Sequence, residues 1–161
     1  MARAGTGGGI SLRPLQPDDA AFFYDVYAST LLDALAVVEW NEAHKAAFLH
    51  RQCAAQHQFY QEHYTETDFL IMLRDAVPVG RLSVARWQDE IRMVDLALLP
   101  PSRNAGIGTA ILRDLLAEAA VAQKPVRIHV EQFNPALRFY ERLGFAPIED
   151  KGVYLFMEWL P

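Results

Sequence analysis

The chain has 161 residues, of which 52% are hydrophobic and 22% charged; this suits one domain with its own apolar core and excludes disorder over most of its length. A formal net charge of −5 excludes a general nucleic-acid binder, because phosphate backbones need a basic face. Cys53 is the sole cysteine, so neither an internal disulfide nor a cysteine-based zinc cluster can form. The glycine-rich start lacks the apolar stretch of a secretory signal, and no segment approaches the roughly 20 apolar residues of a membrane span. A cytoplasmic protein without a membrane partner is expected.

Residues 1–9 are expected to form a flexible tail ahead of a single domain over residues 10–161. Ile10-Ser11-Leu12-Arg13 alternates apolar and polar, as a half-buried strand does. Pro17 with Asp18 and Asp19 predicts a helix start, and Phe23, Val26 and Tyr27 follow at helical spacing. Between this helix and the next, the segment holding Asp33, Glu39 and Trp40 reads as helix or loop. A long helix is predicted over 41–64, with Ala46, Leu49, Cys53, Tyr60 and Tyr64 on one stripe. His44, His50, His57 and His63 lie along it at spacings that give no i, i+4 metal pair, so they read as surface residues; Trp40, Phe59, Tyr60 and Tyr64 read as packing residues.

After Thr67 the period changes. Strands are predicted over 69–73, 79–85 and 91–99, joined by turns at 75–78 and 88–89, which makes an antiparallel meander. Pro100 and Pro101 end it. A helix over 106–122 shows Ile107, Ile111, Leu115 and Ala119 on one face. A strand over 126–130, a short helix over 135–143 capped by Asn134, and Gly144 as a left-handed terminator follow. Two strands, over 145–148 and 153–159, close the chain. The fold class is α+β: a mixed, mostly antiparallel central sheet flanked by helices.

The most informative stretch is Arg103-Asn104-Ala105-Gly106-Ile107-Gly108-Thr109, opening directly into an amphipathic helix. A helix start carries unpaired N–H groups and partial positive charge, and glycines let an anion approach. Together these make a phosphate cradle, to which Arg103 adds a cation. The same glycines also suit a turn that needs them for backbone reasons alone. A nucleoside-triphosphate P-loop is excluded by the missing Gly-Lys-Ser/Thr, and a dinucleotide fingerprint by Ile111 and by the preceding antiparallel meander.

Farther on comes Asn134-Pro135-Ala136, then Tyr140-Glu141, then Gly144-Phe145. With Arg-x-x-Gly-x-Gly opening the earlier helix, this resembles the two signature motifs of the GNAT N-acetyltransferases. The resemblance implies an acetyl-CoA-dependent transfer of an acetyl group to a primary amine, by direct attack in a ternary complex and without a metal. It implies that the backbone of Leu96, Ala97 and Leu98 pairs with the pantetheine arm. It assigns the pyrophosphate to the amides of Asn104, Ala105, Gly106, Ile107, Gly108 and Thr109, with Arg103 nearby. Asn104 and Ala105 depart from the family's usual Gly and Lys or Arg. Asn134 would contact the pantetheine, and Tyr140 would protonate the departing CoA thiolate. A phenol near pKa 10 and a thiol near 8.5 are about 1.5 units apart, close enough for that exchange. The Tyr140 ring also suits plain core packing. Many relatives dimerise, so a homodimer is compatible with the resemblance.

Acetylation needs a neutral amine, and neutralising a lysine-like amine at pH 7 costs about 4 to 5 kcal/mol, so a base is expected. Asp95 interrupts an apolar strand, and His129 and Glu131 share the polar face of the next strand. The residues leave these three candidates open, and the family has no fixed position for the base. Asp33, Glu39 and Glu42 are expected beside the acceptor, since the family's N-terminal helices wall it. The alternatives are a non-catalytic CoA-binding regulatory module and a transferase using another acyl-CoA.

Overall fold

The computed structural model describes residues 9–161. Apart from Gly9, whose carbonyl accepts a hydrogen bond from the Asp75 amide at 2.9 Å, the expected tail lies outside the described residues. The order is β1 (Ile10–Pro14), a 3-10 turn (Pro17–Asp19), α1 (Ala20–Ser29), α2 (Leu32–Ala36), α3 (Glu42–His63), β2 (Thr67–Arg74), β3 (Val77–Arg86), β4 (Ile91–Leu98), a second 3-10 turn (Pro100–Ser102), α4 (Ile107–Ala122), β5 (Val126–Glu131), α5 (Leu137–Arg142), β6 (Ala146–Asp150) and β7 (Tyr154–Trp159). The strands form one sheet in the order β1-β2-β3-β4-β5-β7-β6. Only β4 and β5 pair in parallel.

Local chemistry accounts for the helix starts. The Asp19 carboxylate accepts the Gln16 amide at 2.8 Å and both terminal nitrogens of Arg13 at 2.7 and 2.8 Å, locking β1 to the turn that precedes α1. Asn41 caps α3 by accepting the His44 amide at 2.7 Å. On α3 only Leu49 and Cys53 are buried; Ala46, placed on the same stripe by its spacing, is exposed. Trp40 and Phe59 are also exposed, stacked on His44 and His63 instead of entering the core, which corrects their reading as packing residues. The ambiguous segment resolves into the five-residue α2 followed by a loop.

The helix expected over 135–143 is shorter. Asn134 spends its side chain on the Ala136 amide, at 2.8 Å, so it closes a turn two residues ahead of the helix, and Ala136 occupies the cap. Gly144 does take the left-handed conformation (φ 101°), and Phe145 donates back to the Tyr140 carbonyl at 3.1 Å, ending α5.

The two faces of the sheet carry different layers. Met72, Leu82, Val84, Ile91, Met93, Val126, Ile128 and Met157 pack under the buried stripe of α4, which is Ile107, Ile111, Leu112, Leu115, Leu116 and Ala119. Each of these side chains larger than Ala119 contributes about 1.5–3 kcal/mol by leaving water. The opposite face lies under α1 and α3, where Tyr27, Leu49 and Cys53 form a smaller cluster with Phe23 and Tyr24.

A bulge in β4 decides what faces each layer. Ser83 is opposite Asp95 but Val84 is opposite Met93, so Val94 is an extra residue. Ile91 and Met93 face α4; without the bulge Asp95 would follow them into that apolar core. The inserted residue reverses the alternation, turning Leu96 and Leu98 toward the α4 core and Asp95 toward α1 and α3. A bulge also bends its strand. β4 and β5 are paired only at Ile91 with Val126 and Arg92 with Arg127, and diverge beyond. The facing arginines are held by Glu90, which accepts from Arg92 at 2.9 Å and Arg127 at 3.1 Å, while Glu158 binds Arg127 at 2.8 Å. The result is a wedge, clamped at its base and open where β4 runs into the glycine-bearing loop.

Candidate functional site

At the mouth of the wedge the loop enters α4 through Gly106, which has φ 80° and no side chain to cap the helix. The first helical bond runs from the Ala110 amide to the Gly106 carbonyl at 3.0 Å. The amides of Ile107, Gly108 and Thr109 therefore have no backbone acceptor among the described residues, and a 16-residue helix adds its dipole behind them. A Cβ built on Gly106 would meet nothing within 4 Å, so the space beside these donors is open. Asn104 also has a left-handed backbone (φ 59°), a conformation asparagine tolerates, which accounts for it where glycine is common. Arg103 turns back: its Nε donates to the Leu98 carbonyl at 3.0 Å and Nη2 reaches Ser29 Oγ at 3.4 Å, tying the end of β4 to the end of α1. Ala105 is exposed beside it.

Leu96, Ala97 and Leu98 line the diverging side of β4, beyond its last pairing with β5. Their position depends on Gly80, opposite Leu98: a Cβ there would lie 2.6 Å from Met72 Cε, 2.9 Å from Leu98 Cδ2, and closer still to the Ala97 carbonyl oxygen. Only a residue without Cβ lets β3 approach β4 this closely.

Asp95 pairs with Arg81 of β3, with Nε and Oδ2 2.6 Å apart. Burial raises the Asp95 carboxyl above the usual carboxylate range, and the guanidinium offsets part of that rise. Tyr140, on α5, has its ring in the core against Phe139 and Phe145 and is 5% exposed. Its hydroxyl has no hydrogen-bond partner among the described residues, yet it is not among their sealed, unpartnered polar atoms. Burial, and secondarily the charge of Asp95, raise its pKa above the ordinary phenol value. Tyr60 of α3 is raised by the same two causes, so Asp95, Tyr140 and Tyr60 share one electrostatic neighbourhood.

The other base candidates lie apart. His129 is half-buried and stacked on Phe156, centroids 4.6 Å apart; burial lowers its pKa, assisted by Lys151 and Arg92. The charges acting on it belong to the clamp and to the β6–β7 hairpin, and Asp95 is not among them. Glu131 is exposed at the end of β5, opposite Tyr154. Asn134 is exposed and already engaged by its turn. Asp33, Glu39 and Glu42 are exposed on α2, on the following loop and at the start of α3. His44, His50 and His63 are exposed as expected, whereas His57 is half-buried between Phe23 and Phe69. Among the described residues no cluster of three or more His, Cys, Asp or Glu could hold a metal, and no helix is long and apolar enough to cross a membrane.

Sequence reasoning missed Arg81, Gln56, Tyr60 and Gly80. A signal for Arg81 was present: it interrupts β3 as Asp95 interrupts β4, and opposite charges on adjoining strands of a meander invite pairing.

Set against known proteins, residues 33–161 match the family model described as an acetyltransferase (GNAT) domain. The chain belongs to the GNAT acetyltransferase family. No curated protein sequence matches it. Solved GNAT structures share the fold at low identity. The PaiA N-acetyltransferase of Thermoplasma acidophilum, solved with coenzyme A, is 18% identical with TM-score 0.71, covering 94% of this chain and 99% of its own. An acetyltransferase of Thermus thermophilus is 19% identical with TM-score 0.66, covering 96% and 97%. FdhC, a nucleotide-linked sugar GNAT solved without ligand, is 14% identical with TM-score 0.68, covering 95% and 87%. The seven-stranded mixed sheet and its flanking helices are thus the GNAT fold.

Proposed function

We propose that this GNAT protein transfers an acetyl group from acetyl-CoA to a primary amine, by direct attack within a ternary complex. The observation that carries the reading is the wedge itself: unpaired amides at the start of α4 stand at its mouth, and Tyr140 and Asp95 are near enough for the carboxylate charge to act on the phenol. The amides of Ile107, Gly108 and Thr109 bind the diphosphate, and Leu96 to Leu98 present free strand edge to the pantetheine amides. Acetyl-CoA brings an activated thioester. Asp95 takes one proton from the acceptor ammonium; a carboxyl raised by burial is better matched to that task than an ordinary one. The neutral nitrogen forms the C–N bond as the C–S bond breaks, and its second proton passes through solvent to the departing thiolate, leaving the amide and the CoA thiol. Tyr140 donates a hydrogen bond to the sulfur as it leaves. Because burial raises the phenol, the gap to a thiol near pKa 8.5 is wider than reference values give, which favours hydrogen bonding over complete transfer.

The test is release of free thiol from acetyl-CoA in the presence of a polyamine, an aminoglycoside, a lysine peptide and a peptide with a free N-terminus. Turnover with at least one amine, dependent on Tyr140, is expected. CoA binding without turnover on any acceptor would favour the non-catalytic module, and release only from longer acyl-CoAs would change the donor.

A further inference from the structure

We propose that Arg81 is a positioning residue for amine deprotonation: it holds the Asp95 carboxylate ionised and in one orientation, and Gln56 in turn holds Arg81. This rests on the reading of Asp95 as the base. Arg81 is 2% exposed, and a buried guanidinium is costly unless paired. Its register explains the pairing. Ser83 lies opposite Asp95 and Arg81 opposite Ala97, so Arg81 and Asp95 are diagonal neighbours on one face, within reach of a long side chain. Around the 2.6 Å ion pair, Nη2 donates to Gln56 Oε1 at 2.8 Å from α3. The Phe23 and Tyr27 rings of α1 lie 4.6 and 5.6 Å from the guanidinium carbon. Nε and Nη1 are both sealed without a hydrogen-bond partner among the described residues, so Nε meets Asp95 as an ion pair.

Stability gives no reason for such an arrangement, because an apolar pair of similar volume is often as stable as a buried ion pair. The surroundings make it a control on ionisation. The titratable groups facing the pair are Cys53, His57 and Tyr60 from α3, Tyr27 from α1 and Tyr140 from α5. Burial raises the thiol and the phenols above their ordinary values, and burial with the Arg81 charge lowers His57, so each favours its neutral form at pH 7. Arg81 is then the cation that sets how readily Asp95 gives up its proton and how its oxygens point.

The experiment compares Arg81→Gln, Arg81→Lys and Gln56→Leu with Asp95→Asn. It measures kcat/KM against pH with acetyl-CoA and the best amine of the panel, with circular dichroism to verify folding. A ¹³C carboxyl titration of Asp95 gives a readout independent of turnover. Loss of an opposite charge at this range moves a carboxyl up by about 1–3 pH units. Arg81→Gln is expected to move both the acid limb and the Asp95 titration by that amount. Arg81→Lys and Gln56→Leu should move them less, in the same direction, and they carry the test if Arg81→Gln does not fold. An unmoved acid limb and an unmoved titration in folded Arg81→Lys and Gln56→Leu would overturn the role of Arg81 while leaving Asp95 in place. An acid limb that survives Asp95→Asn, or no turnover with any amine, would overturn both.

Discussion

Gly80→Ala tests whether the wedge is set by the close approach of β3 to β4. The new methyl would lie 2.6 Å from Met72 Cε and 2.9 Å from Leu98 Cδ2, and nearer still to the Ala97 carbonyl oxygen. Methionine can swing its end away, but the carbonyl belongs to a strand paired along its length with β3. β4 must therefore shift at Ala97 and Leu98. Overpacking of this kind costs about 1–3 kcal/mol, and restricting the unfolded chain returns about 0.4–1 kcal/mol, leaving a net loss of about 1.3 kcal/mol at the middle of both ranges. At this chain length that lowers Tm by about 3–5 °C. The same shift misplaces the strand edge assigned to pantetheine, so CoA affinity, measured by calorimetry, is expected to fall with stability. Gly80→Ala with parental Tm and parental CoA affinity would refute the claim that this contact positions the edge.

Tyr140→Phe removes a hydroxyl with no partner among the described residues, so Tm should be nearly unchanged while turnover falls by about 10²-fold or more; unchanged turnover would remove Tyr140 from the reaction. Ala76 sits at φ 67° in the two-residue turn between β2 and β3, so Ala76→Gly should add about 1 kcal/mol in urea unfolding. A loss of stability there would show the turn is unstrained. The Asp19 carboxyl lies below its ordinary value because Arg13 hydrogen-bonds it, with the Gln16 amide adding to that. Its contribution is complete above the unfolded carboxyl value near pH 4 and is lost as pH falls through the lower folded value. Thermal melts from pH 2 to 6 should show a shallower acid-side decline for Asp19→Asn than for the parent. Parallel curves would contradict that assignment.

Much of the architecture was legible because it follows from local rules. The meander, the amphipathic α4, the terminator at Gly144 and the glycine-bearing helix start all follow from period, propensity and turn chemistry within a few residues. The β4 bulge left a trace that is readable only afterwards. Apolar positions 91 and 93 are followed by 96 and 98, a break of phase that a continuous strand would not show. Asn134 went astray because one asparagine can cap a helix or close a turn, and the choice depends on where Pro135 and Ala136 lie. Gln56 and Tyr60 were out of reach for another reason. Gln56 and Tyr60 reach the Arg81–Asp95 pair only once α3 crosses the sheet, and such long-range contacts leave no periodic signal, whereas Arg81 itself meets Asp95 through the β3–β4 register and could have been read from its place in the strand. The clamp of Glu90, Arg92, Arg127 and Glu158 was missed on the same ground.

Whether unpaired amides at the start of α4 grip a diphosphate can be read from ¹⁵N-amide spectra recorded during titration with CoA and, separately, with pantetheine, which lacks the diphosphate. The Ile107, Gly108 and Thr109 amides are expected to shift strongly with CoA and barely with pantetheine, and CoA to bind far more tightly. Equal affinities, with those three amides unmoved by CoA, would contradict that grip.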